Sequence, residues 1–128
     1  MAQRPIEMIL MRQLAESLSV PVCLVDETGA LLHCNEPAEN LLGRPPDEIG
    51  RLALPEWAAL LSPTDETGEP LDAAALPVIV AIRQQRPVHR VIGIRGRDGR
   101  VRRVAMTAFP MLGQNGRRLG GAAILWDA

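Results

Sequence analysis

Four side chains in this 128-residue chain, Cys23, His33, Cys34 and His89, are of the types from which thiol or metal chemistry is built. For a thiol enzyme the best constellation is Cys34 with His33 or His89 as base and a carboxylate such as Glu36. Such a nucleophile needs a base within hydrogen-bond reach and a depressed pKa, and the spacing supplies neither. Cysteines on strands read first as packing residues. A metal set written from the same four residues fails on geometry. Adjacent strand residues point to opposite faces, so His33 and Cys34 cannot hold one ion together, and no metal is expected. A redox pair depends on hairpin register: a three-residue turn at 27–29 sets Cys23 opposite His33, whereas a four-residue turn sets Cys23 against Cys34. The first register is the expected one, with the cysteines on opposite faces.

All fourteen basic residues are Arg. Without lysine, Schiff-base chemistry and a P-loop are excluded, and no paired-carboxylate or HExxH motif stands in the chain. Trp57, Phe109 and Trp126 are the only aromatic residues. Three scattered rings argue against base-stacking platforms and aromatic cages, and the core must be aliphatic. Charge is segregated: residues 1–82 hold 4 Arg against 13 acidic residues, and residues 83–128 hold 10 Arg against 2. The arginines of the second half read as solvated strand faces, with a nucleic-acid surface as the alternative and no nucleic-acid partner expected. The longest apolar run, 73–82, is far too short to span a bilayer, and the first residues lack a secretory pattern. Two cysteines fit a reducing, cytoplasmic setting.

The elements that must position these residues follow from period and punctuation. Residues 6–18 place Ile6, Ile9, Leu10, Leu14 and Leu18 at helical spacing. Val20–Val25 and Ala30–Cys34 read as a hairpin around Asp26-Glu27-Thr28-Gly29, whose composition suits a type I turn followed by a left-handed glycine. Asn35 stands as the N-cap of a two-turn helix that ends at Gly43. Five prolines between 44 and 76 leave room only for brief helices, near 46–49 and 56–61. Asp65-Glu66-Thr67-Gly68 repeats the earlier turn chemistry. Residues 77–86 form a helix that stops before Pro87. Three strands follow, Val88–Arg95, Arg100–Phe109 and Leu119–Trp126, separated by turns at Asp98-Gly99 and 113–116, with Gly120-Gly121 marking a strand irregularity. Val104, Met106 and Ala108 face one way and Ala105, Thr107 and Phe109 the other, and neither set is polar. Both sheet faces are therefore covered, one by the middle helices and the other by the N-terminal helix or a second subunit.

In that order of elements the chain resembles the PAS domain over about residues 12–127. The marks are PVCLVDETGALLHCNEPAENLLGRPPDEIG at 21–50, GEPLDAAALPVIVAIRQQRPV before the third strand, and GRDGRVRRVAMTAFPML with GRRLGGAAILWD at the end. The resemblance implies an α+β fold: a five-stranded antiparallel sheet of order 2-1-5-4-3, with short helices on one face enclosing a pocket. It divides the chain into an N-terminal helix, 1–19, and a sensor domain, 20–128. It implies a non-catalytic sensory and interaction module of a bacterial signalling protein, such as the input domain of a sensor histidine kinase.

The site expectations follow from that reading. The pocket is aliphatic, formed by residues such as Ile79, Ile82, Ile92, Val104 and Met106, and suited to a small apolar ligand or simply filled. Ile6, Ile9, Leu10, Leu14 and Leu18 close over the sheet or meet a second copy in a homodimer. Trp126 and Asp127 lead to an effector domain in a longer parent protein. Neither flavin nor haem is expected, since the middle segment lacks the reactive-cysteine motif of blue-light relatives. The connecting helix also lacks the histidine of haem relatives, and His89 falls on the next strand.

Overall fold

A computed structural model describes residues 6–42, 52–96 and 99–127. The elements are α1 (Ile6–Ser17), β1 (Val22–Val25), β2 (Leu31–Cys34), α2 (Glu36–Leu42), α3 (Leu54–Leu61), a 3₁₀ turn (Ala73–Ala75), α4 (Pro77–Gln84), β3 (Val88–Arg95), β4 (Val101–Leu112), a second 3₁₀ turn (Gln114–Gly116) and β5 (Arg118–Asp127). The strands form one antiparallel sheet in the order β2-β1-β5-β4-β3. The brief helix expected at 46–49, the stop at Gly43 and the turn residue Asp98 lie outside the described residues.

Alternation along the strands divides the apolar side chains between two layers. On the inner face Val25, Leu31, Ile92, Ile94, Val104, Met106 and Leu125 pack under α2, α3 and α4. On the outer face Val22, Leu24, Met111, Leu119 and Ala122 pack against α1. The helix makes that contact through Met8, Met11 and Ala15, and Leu18 just beyond its end joins them. Of the expected stripe only Leu18 belongs to it, and Ile6, Ile9, Leu10 and Leu14 turn outward at 65, 44, 57 and 52% exposure.

The β1–β2 register corrects the expected one. The three-residue turn forms as its residues dictate: the Asp26 amide donates to the Ala30 carbonyl at 2.9 Å and the Gly29 amide to the Asp26 carbonyl at 3.0 Å. Asp26 Oδ1 accepts from the Thr28 amide and hydroxyl at 2.8 and 2.6 Å, and Asp65 treats Thr67 in the same way. Beyond the turn, however, Val25 pairs with Leu31 while Leu24 pairs with His33. One residue of β2 is extra, a bulge. Leu31 and Cys34 therefore face inward, Leu32 packs outward, and Cys23 pairs with Cys34, not with His33. The Leu31 amide, freed from the ladder, donates to the Leu52 carbonyl at 2.7 Å.

Strand β4 runs past its expected end at Phe109, through Pro110 to Leu112. Pairing with β3 stops at Ala108, so Pro110 has no neighbour on that side to be denied a donor. A register shift opposite Gly120 marks the expected irregularity. Gly120 adopts φ +135°, and a Cβ there would lie 2.0 Å from the Val25 carbonyl oxygen. The outer edge of β3 is partly paired, because Thr64 exchanges backbone hydrogen bonds with Gly93 at 2.9 and 3.0 Å.

Candidate functional site

Asn35 joins three elements at the edge of the site. Its Oδ1 accepts from the Val22 amide at 2.9 Å and the Ala38 amide at 3.1 Å, capping α2 as expected. Its Nδ2 donates to the Ala15 and Val20 carbonyls at 2.9 and 2.8 Å, so the end of α1, the start of β1 and the start of α2 meet on one buried amide. All four hydrogen-bonding positions of the side chain are used, which is the condition for burying it without penalty.

Beside this junction a cavity of about 40 Å³ lies between the sheet and α2–α3. Cys23, Leu31, Met106 and Leu125 form its sheet wall, and Ala38, Leu41, Trp57 and Leu61 its helical wall. The lining is apolar. The indole N–H of Trp57 is turned out of it, donating to the Gly29 carbonyl at 2.8 Å. Of the expected pocket residues, Met106 lines the cavity, whereas Ile79, Ile82, Ile92 and Val104 lie in the same packed layer without reaching it. Trp57 and Cys23 were not singled out as wall residues. The clue to Trp57 was a large ring in a short proline-started helix, and the clue to Cys23 was hidden behind the bulge.

The reactive side chains sort by face. Cys34 is buried against Cys23, with the sulfurs 3.2 Å apart. The hydrogen bond to Cys23, then burial, then the charges of Cys23 and Glu39 push the Cys34 thiol far above its ordinary value of 9.0. That is the opposite of an activated nucleophile. His33 points to the outer face, with Nε2 2.5 Å from Glu16 Oε1 on α1, an ion-pair distance without hydrogen-bond alignment. His89 is on the outer face of β3, its Nδ1 2.8 Å from Thr107 Oγ1. Neither imidazole is aimed at Cys34 or at the cavity, so the thiol–imidazole set is not assembled. Among the described residues no three His, Cys, Asp or Glu side chains converge as a metal site.

Trp126, 42% exposed, borders an open depression of about 430 Å³ together with Pro37, Asn40 and Arg102. The backbone of Asp127 completes β5, and its side chain lies outside the described residues. Among the described residues no helix is long and apolar enough to cross a membrane.

Comparison with known proteins gives the same architecture. The PAS fold profile matches residues 9–127. The chain is similar to a LOV protein of Rhodobacter sphaeroides (15% identity, 94% of this chain and 67% of that one, TM-score 0.73). It is also similar to the PAS domain of BvgS from Bordetella pertussis (17%, 95% and 85%, 0.63). A third likeness is to the PAS domain of nitrogen regulation protein NR(II) from Vibrio parahaemolyticus (17%, 93% and 98%, 0.66). No curated protein matches the chain. At these identities the solved structures speak for the fold alone, but the profile spans nearly every residue from α1 to the end of β5. On that match the chain belongs to the PAS family.

Proposed function

We propose that the chain is the sensory and dimerisation module of a bacterial signal-transduction protein, a cytoplasmic input domain of the sensor histidine kinase kind. It takes a small apolar ligand, contains no haem or flavin, performs no catalysis itself and relays to an effector beyond β5. The observation that carries this reading is the partly enclosed apolar cavity between the sheet and α2–α3. Cavities of this kind stay dry and accept apolar guests; one of about 150 Å³ admits benzene or xenon. At about 40 Å³ the space here suits a guest of a few atoms. The cofactor-free reading is supported by a lining without polar groups to hold a flavin and by the two cysteines, which sit on β1 and β2 instead of a middle helix. For haem, His89 offers no axial ligand, since it is on the opposite face of the sheet.

Xenon provides the test. In a Trp126→Phe variant Trp57 is the only tryptophan, and xenon entering the cavity quenches its emission and raises Tm. Unchanged emission under xenon pressure overturns the ligand reading.

Dimerisation is supported by the outward stripe of α1. Ile6, Ile9, Leu10 and Leu14 lie on one side of an amphipathic helix whose other side is already buried, and a second copy buries them. Sedimentation then shows a dimer that Leu10→Glu with Leu14→Glu converts to monomer. A wild-type chain that is monomeric at every concentration removes this reading.

A further inference from the structure

The β2 bulge brings together two thiols that an unbulged hairpin keeps apart. We propose that Cys23 and Cys34 form a redox-active dithiol that a hydroperoxide closes to an intramolecular disulfide. Three observations carry this inference, and none depends on a ligand occupying the cavity.

The first is backbone geometry. The Asn35 amide donates to the Val22 carbonyl at 3.1 Å, a backbone bond that flanks the next pair inward, so Cys23–Cys34 is a non-hydrogen-bonded pair. Residues opposed in such a pair have Cα atoms about 4.5 Å apart, within the range of about 4.4–6.8 Å that disulfides span. The second is side-chain geometry. The sulfurs stand 3.2 Å apart on the same face. Closure to about 2.05 Å needs roughly 1 Å of approach, within the reach of χ1 adjustment and a small strand shift.

The third is the difference between the two environments. Cys34 is buried, whereas Cys23 is only part-buried and forms part of the cavity wall. Cys23 is thus the sulfur that a small oxidant meets, and Cys34 is the partner whose thiol the contact with Cys23 and burial keep protonated. In the first step Cys23 Sγ attacks the terminal oxygen of the hydroperoxide: an S–O bond forms, the O–O bond breaks, and the departing alkoxide (hydroxide, from hydrogen peroxide) takes the Cys23 thiol proton and leaves as an alcohol (water). In the second, Cys34 Sγ attacks Cys23 Sγ, the S–S bond forms, the S–O bond breaks, and the hydroxide takes the Cys34 proton and leaves as water. Two thiols are oxidised, one peroxide is reduced, and a dithiol reductant reverses the change. Cys34 directly precedes Asn35, so closure moves the strand end that ties α1 and α2 together.

The test uses the unmodified chain and intact-mass measurement. Native protein treated with hydrogen peroxide is expected to lose two hydrogen masses, and its thiol titre to fall from two per chain to none. It should run as a single chain on non-reducing electrophoresis and recover both thiols with dithiothreitol. Cys34→Ser stops at a sulfenic acid on Cys23 that dimedone traps, and Cys23→Ser leaves Cys34 unmodified at the same dose. The proposal is overturned if both thiols survive a dose that oxidises the unfolded chain, if the product is an intermolecular disulfide, or if Cys23→Ser is oxidised at Cys34 as fast as wild type.

Discussion

A single amide carries more of this structure than any other polar group described. Asn35 satisfies two backbone donors and two backbone acceptors from α1, β1 and α2. Asn35→Ala leaves these groups buried without partners, at a cost of about 3–5 kcal/mol. Chemical denaturation is expected to show that loss, and Asn35→Asp, which keeps the acceptor but not the donors, is expected not to restore it. Trp57→Phe keeps most of the apolar wall but deletes the hydrogen bond to Gly29; a loss of about 1–2 kcal/mol in the same assay is expected. The N-cap role of Asn35 was legible from its position ahead of Glu36-Pro37. Its two donations to α1 and to the chain before β1 were not, because they join residues 15 and 20 positions away.

Among the elements, the β1–β2 hairpin and the β4–β5 pair each depend on an irregularity that periodicity does not show. At the β2 bulge, local turn chemistry was read correctly and the register beyond it was not, since Leu31 is drawn to Leu52 by a contact no neighbouring residue announces. At β5, Gly120 sits against the end of β1 with a backbone few residues other than glycine adopt. Gly120→Ala is expected to cost at least about 3 kcal/mol, read as a large fall in Tm, because strain and a backbone clash add. Gly68→Ala serves as the comparison: it also has positive φ but meets nothing within 4 Å, and it is expected to cost less. Helix α1 was foreseen as amphipathic, but its buried side is Met8, Met11 and Ala15 rather than the more apolar Ile and Leu positions.

For the whole molecule, pH divides stability between two kinds of group. The Cys34 thiol is held protonated in the folded chain and ionises freely in the unfolded one, so its contribution is complete below the ordinary thiol value of 9.0 and declines as pH rises above it. The decline approaches about 1.4 kcal/mol per pH unit for one proton. The stability difference between wild type and Cys34→Ala is expected to shrink between pH 8 and 10 under reducing conditions, as measured by denaturant midpoints. Glu66 runs the other way: Arg90 at 3.0 Å lowers its pKa, so this smaller, exposed contribution is present above the ordinary glutamate range and is lost in acid. By itself, the sequence determined the order of helices and strands, the aliphatic core, the Asp-x-Thr-Gly turns and the absence of lysine chemistry. All of these follow from composition, period and local turn geometry, and their order carried the likeness to the PAS fold. Only the tertiary structure decided that Cys23 faces Cys34, that Trp57 and not Ile79 walls the cavity, and that α1 turns Ile6, Ile9, Leu10 and Leu14 outward. Each of these depends on a one-residue register shift or on the choice between two apolar faces, and only long-range packing makes that choice.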